Sequence, residues 1–182
     1  MSISTRLGDE GTTSVIGEKR YPKDHPLVEC LGTLDELNAF LGDAKAAIAA
    51  SENPSQNLNY PHNAAHSREI ISAIQKELFV VSGILAGSGS NSPDVKILDA
   101  YITNLEADLG AFTGFAIPGE NPSSAKLHIA RTVCRRTERC MVGLCRTNTI
   151  HPETQRCLFA WINRLSDLLF LLAQKEAAIE ST

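Results

Sequence analysis

Leu127-His-Ile-Ala-Arg-Thr-Val-Cys-Arg-Arg-Thr-Glu-Arg139 is the stretch from which the fold is read. On a helix of 3.6 residues per turn, Arg131, Arg135, Glu138 and Arg139 fall within one arc about 100° wide, and His128 joins them. Leu127, Ala130, Cys134 and Met141 form an apolar stripe beside that arc. Guanidinium forks at the edge of a buried stripe suit a polyanion such as a triphosphate. Taken alone, the plainer reading is a solvated face in which Arg135 and Glu138 make an ordinary i,i+3 pair.

Outward from this stretch the chain repeats the same kind of pattern. A helix is expected from Pro26 to about Ala50, with Leu27, Leu31, Leu34, Leu41 and Ile48 as its core stripe. A second should cover roughly His62 to Ala86, with Ile70, Ile74, Leu78, Val81 and Leu85 buried. Val95, Leu98, Ile102, Leu105 and Leu109 suggest a third between Pro93 and Gly110. The fourth spans about Ser123 to Arg146 and the fifth about Pro152 to Ala178. No strand is expected. Five amphipathic helices joined by short loops argue for an all-α, up-and-down bundle in a single domain of residues 1–182. Within it, 1–25 reads as a glycine-rich, extended or loop segment and 26–178 as the bundle.

Composition narrows the function classes. The chain has 182 residues, 43% apolar and 21% charged, with a net charge of −4. That balance argues against general nucleic-acid or anionic-membrane binding while allowing a local basic pocket. No uninterrupted apolar run approaches the ~20 residues of a bilayer span. The N-terminus carries neither a signal-peptide core nor an Arg-rich presequence, so a cytoplasmic location is expected, or the mitochondrial matrix for a processed eukaryotic protein. Five cysteines without a CxxC pair read as reduced, buried thiols. Glu-x-x-His pairs of a di-iron bundle, a GxSxG elbow and a GxxxxGK[ST] loop do not occur.

Three other segments carry polar groups in suggestive places. On the fifth helix, Leu158, Trp161, Ile162, Leu165, Leu169 and Leu172 form the core stripe. Asn163 and Asp167 lie nearly opposite, together with Phe159 and Phe170, which points to a ligand pocket, a subunit interface or a two-sided core helix. In Thr33-Leu-Asp-Glu-Leu-Asn38, Asn38 turns toward the apolar side and Asp35 flanks it, placed to meet an arginine of another helix or chain. Near the N-terminus, Gly8 and Gly11 precede the hydroxyls Thr12, Thr13 and Ser14, with Arg20 and Lys23 following. Such a loop can approach phosphates closely, and a polar tail looks similar.

Taken in order, these segments resemble the PduO-type ATP:cob(I)alamin adenosyltransferases. The resemblance rests on Gly8-Asp-Glu-Gly-Thr-Thr-Ser14, Gly32-Thr-Leu-Asp-Glu-Leu-Asn38, Phe115-Ala-Ile-Pro-Gly119, Leu127 to Arg139, and Asn163-Arg-Leu-Ser-Asp-Leu-Leu-Phe170. It implies a homotrimer of five-helix bundles that binds ATP and cobalamin between subunits. ATP would be held by Thr5, Arg6, Leu7, Gly8, Thr13, Ser14, Lys23, Arg135, Arg136, Glu138, Arg139 and Asn163. Mg²⁺ would be bound through the ATP phosphates, with no direct protein ligand. On the corrinoid side the resemblance implies Asp35, paired across the interface with Arg131, together with Asp167 and Phe115, which would displace the axial base. Arg135, Arg131, Asp35 and Asn163 would be the residues that carry catalysis.

Two positions depart from the family pattern. Leu7 stands where a small polar residue is usual, and Glu120 replaces the second glycine of Pro-Gly-Gly, altering the loop that carries Phe115. The implied reaction moves the 5′-deoxyadenosyl group of ATP to Co(I) and releases triphosphate. It abstracts no proton, so His128 is not needed as a base. A cobalamin reductase and an adenosylcobalamin-dependent enzyme are the implied partners, with no nucleic acid and no membrane. The rival from another class is a non-catalytic trimer binding ATP or corrinoid as a chaperone or regulator.

Overall fold

The computed structural model describes residues 4, 6–17, 19–51, 63–88, 92–110, 116–147 and 150–179. Five helices dominate: α1 (Pro26–Ser51), α2 (Asn63–Leu85), α3 (Val95–Leu109), α4 (Pro122–Cys145) and α5 (Pro152–Ile179). Each lies within two residues of its expected bounds. Thr5 and Phe115 fall outside the described residues.

The helix ends follow from local chemistry. Pro26, Pro122 and Pro152 occupy first-turn positions, where a missing N–H costs nothing. Asp94 caps α3 by accepting from the amides of Lys96 and Ile97, so that helix starts after Pro93. His25 Nδ1 accepts from the Leu27 amide at 3.1 Å and caps α1. Asn121 does two jobs at the start of α4. Its Oδ1 accepts from the Ser124 amide at 2.8 Å, and its Nδ2 donates to the Glu176 carbonyl of α5 at 2.7 Å. Because Asn121 is buried, Asn121→Ala should cost about 2 kcal/mol, read as a lower urea midpoint with an unchanged slope.

Directions alternate up and down, but spatial order departs from sequence order. Thr137 Oγ1 donates to the Thr33 carbonyl at 3.2 Å and Lys126 pairs with Asp43 at 2.5 Å, which makes α1 and α4 antiparallel neighbours. Asn121–Glu176 and Cys134 Sγ to the Ile162 carbonyl (3.5 Å) set α4 antiparallel to α5. α3 runs parallel to α5, joined by Arg164–Asp99 at 2.9 Å. α2 packs on the other side of α1, through Lys45 Nζ to Gln75 Oε1 at 2.7 Å. Around the bundle the order is therefore α1, α4, α5, α3 and α2, with α2 closing back onto α1 and meeting α3 where the His66 and Tyr101 rings stand 6.5 Å apart.

Core residues match the stripes read from the sequence, with exceptions at the margins. Leu27, Leu34, Leu41 and Ile48 are buried, and Leu31 is half-buried. On α3 only Leu98 and Leu105 are sealed, because this helix has one main neighbour; Val95, Ile102 and Leu109 stay half-buried. α5 has the length and mean hydropathy (1.2) of a membrane-crossing helix. Its apolar residues are instead sealed inside the bundle, and Asn163, Arg164 and Asp167 would be costly in lipid. All five cysteines are free thiols; burial pushes Cys30 up to about 12 and also raises Cys134, so neither is a ready nucleophile.

The N-terminal segment corrects the expectation of no strand. Thr12–Ser14 (β1) and Arg20–Pro22 (β2) form an antiparallel pair, with Thr13 opposite Tyr21. Gly17, at φ +80°, lies in the connection between the strands, and Gly11, at φ +76°, precedes β1 and accepts from the Lys23 amide at 2.9 Å. Arg20 braces them by donating to Thr12 Oγ1 at 2.6 Å and to the Leu7 carbonyl at 2.5 Å.

Candidate active site

The arginine helix does what its periodicity suggests. Arg131 and Arg135 on α4 face Ser166, Asp167 and Phe170 on α5 across a pocket of about 330 Å³, with Glu106 of α3 at its rim. The α4–α5 register puts Arg131 level with Ser166, and Asp167 follows on the exposed side of the same turn. The i,i+3 pairing of Arg135 with Glu138 does not form: among the described residues no ion pair or hydrogen bond engages Arg135. Arg131 is half-buried, and its Nε is sealed from solvent without a hydrogen-bond partner. Two cations with unspent donors, two carboxylates and an aromatic ring thus share one concave surface. That combination can bind an anion beside a flat, largely apolar body.

The row divides along the helix. Glu138 and Arg139, with Val142, Gly143 and Arg146, line a second pocket of about 420 Å³ two turns on. Arg136 points elsewhere. It sits roughly 140° around the helix from Arg131 and forms an ion pair with Glu36 of α1, so one chain does not bring it to the side that Arg131 and Arg135 occupy. Asn163 is exposed one turn before Asp167, on the side of α5 where the sequence puts it, but outside the pocket's lining.

The N-terminal residues lie at another place. Tyr21 packs edgewise on His25 at 4.9 Å, and Lys19, Tyr21 and His25 line a cavity with Leu144, Ile150 and His151. Leu144 is nine residues beyond Arg135, roughly 14 Å along α4. Arg6 adopts φ +57°, Leu7 is exposed, and its carbonyl is held by Arg20. Gly8 leaves room for Lys23, whose Nζ would lie 3.3 Å from a Cβ at that position. Thr13 and Ser14 occupy β1, with Ser14 exposed. One chain therefore does not join the glycine-hydroxyl hairpin to the Arg131–Arg135 pocket. Asp35 is exposed on α1; within the chain no ion pair connects it to Arg131.

Glu106, Ser166 and Leu171 are pocket residues that the sequence did not single out. Ser166 sits inside a motif that was read, but Glu106 enters only through the parallel docking of α3 on α5. Among the described residues no cluster of three or more His, Cys, Asp or Glu side chains is arranged to hold a metal ion.

The sequence profile of the cobalamin adenosyltransferases matches residues 3–176. The chain belongs to that family. A corrinoid adenosyltransferase of Citrobacter freundii is 37% identical over 183 residues, covering 96% of this chain and 94% of the relative. One from Bacillus subtilis (strain 168) is 35% identical, with coverages of 96% and 86%. A corrinoid adenosyltransferase PduO of Salmonella typhimurium is 37% identical, but this chain spans only half its length. Among solved structures, a single-residue variant of a PduO-type ATP:corrinoid adenosyltransferase from Lactobacillus reuteri, complexed with cobalamin and ATP, superposes with a TM-score of 0.80 at 29% identity. The match covers 99% of this chain and 93% of that one. Another variant, complexed with ATP, gives 0.81 at 30% identity, covering 98% and 96%.

Proposed function

We infer that this protein transfers the 5′-deoxyadenosyl group of ATP to the cobalt of a reduced corrinoid. The observation that carries the reading is the α3–α4–α5 pocket, where Arg131 and Arg135 face Asp167 and Phe170, in a chain of this family. Co(I) is the nucleophile: its electron pair forms the Co–C5′ bond while the C5′–O bond breaks and triphosphate departs. The protein needs no Ser, Cys or His to attack. It must align cobalt with C5′ and stabilise the charge growing on the leaving group. Arg135 and Arg139 are suited to the triphosphate, with Asn163 beside them; Mg²⁺ on the phosphate oxygens would neutralise further charge. Asp167, Arg131 and Phe115 take the corrinoid side.

The separation described above supports an assembly of several copies, which we propose is a homotrimer. The hairpin residues Arg6 to Gly8, Thr13, Ser14 and Lys23 complete the nucleotide site only if a second copy brings its hairpin to the arginine pocket, and a closed ring of three copies satisfies this for every site. A solution mass three times that of one chain is the expected result. In that arrangement Asp35 of one copy meets Arg131 of the next. Asp35→Asn and Arg131→Ala should then be non-additive in kcat/KM by about 0.5–3 kcal/mol, and simple additivity would show that they do not touch.

The direct test is anaerobic: reduced cobalamin, ATP and the protein are mixed, and adenosylcobalamin formation is followed by absorbance. No product under conditions where both substrates bind would favour the non-catalytic binding protein. A cytoplasmic location, a reductase that supplies Co(I) and an enzyme that consumes the product complete the proposal.

A further inference from the structure

His128 belongs to none of the roles assigned so far, yet it stands directly behind the pocket. It lies one turn before Arg131 on α4 and is only 4% exposed. Its ring meets Phe170 of α5 in a tilted, edge-on contact, with centroids 6.1 Å apart and planes at 62°. Phe170 in turn lines the pocket with Arg131 and Asp167. The imidazole Nδ1 is sealed from solvent with no hydrogen-bond partner. An unpaired buried polar atom weakens a fold, and phenylalanine would occupy such a site without that cost. With Nδ1 unpaired, what His128 offers Phe170 is the edge of a flat ring.

We propose that His128 is a positioning residue for corrinoid binding: its ring edge fixes the tilt of Phe170 against the pocket. The inference rests on the function proposed above. Aromatic pairs favour edge-to-face geometry over free rotation, so a flat ring behind Phe170 restricts it where an aliphatic side chain would let it turn. Burial holds the imidazole below its ordinary pKa, and the Arg131 charge pushes the same way, so both favour the uncharged ring. A protonated side chain at this place would instead repel Arg131 one turn away.

The test compares His128→Leu with His128→Phe in the anaerobic assay, with thermal melting alongside. His128→Leu should raise KM for the corrinoid about tenfold while KM for ATP and kcat change less than twofold. His128→Phe, which restores a ring edge, should bring the corrinoid KM within threefold of wild type and melt at or above the wild-type temperature. If His128→Leu does not fold, His128→Gln, polar but without a ring, takes its place with the same expectation. The proposal is overturned if the ringless variant leaves the corrinoid KM unchanged, if both KM values rise together, or if the phenylalanine variant is no better. Failure of the wild-type protein to form adenosylcobalamin would refute the proposed function itself, which is a separate outcome.

Discussion

Arg135→Ala should lower turnover about 100-fold or more while leaving helical circular dichroism intact. The size follows from where the charge appears. In the ground state the triphosphate is already solvated. As C5′–O breaks, negative charge grows on the leaving oxygen, and a guanidinium preset in a pocket stabilises it without reorganising. Stability should not follow, because Arg135 is exposed and, among the described residues, makes no ion pair or hydrogen bond within the chain. Arg135→Lys separates charge from geometry: it keeps the cation but loses the planar fork, so its loss should be intermediate. Near-normal rates for Arg135→Ala would remove the triphosphate from this pocket.

Trp161→Ala should be the most destabilising single change in the core, by about 3–5 kcal/mol. Trp161 is the largest fully buried side chain, and no part of its surface reaches solvent. It sits on α5 among Leu158, Ile162 and Leu165, on the helix that touches α4, α3 and α2. A loss of that size is a large share of the 5–15 kcal/mol typical of a folded domain, so the variant should lose cooperative unfolding well below the wild-type temperature. The Trp161 Nε1–H has no acceptor. Trp161→Phe removes that unpaired donor and keeps most of the ring, so it should cost less than half as much. Equal losses for the two substitutions would mean that volume is not what Trp161 supplies.

The five helices were legible because their apolar stripes run long enough for the 3.6-residue period to show, and prolines mark their starts. The hairpin was not. Its strands are three residues each, too short for alternation to register, and what holds them is the Arg20 side chain reaching Leu7 and Thr12. The arrangement of helices was also hidden, since nothing in α3 says that it docks parallel to α5 and delivers Glu106 to the arginines. Ideal helical geometry did separate Arg136 from its neighbours, and the ion pair with Glu36 is the physical counterpart. The aromatic character of the second face of α5 was legible too: Phe170 lines the pocket, whereas Phe159 packs at the core's margin.

The ties between α4 and its neighbours have a consequence for which ligands the protein can use. Asn121 holds one end of the α4–α5 seam, Cys134 its middle, and Thr137 fixes α4 against α1. Helices pinned at several heights cannot slide, so the spacing between the Arg135 guanidinium and the α5 side chains works as a ruler cut to one length. A nucleotide analogue with one extra bond between its sugar and its phosphates would find no compensating shift in the scaffold. It should bind through the same groups and still fail to react, because its carbon would sit a bond length out of line with the metal.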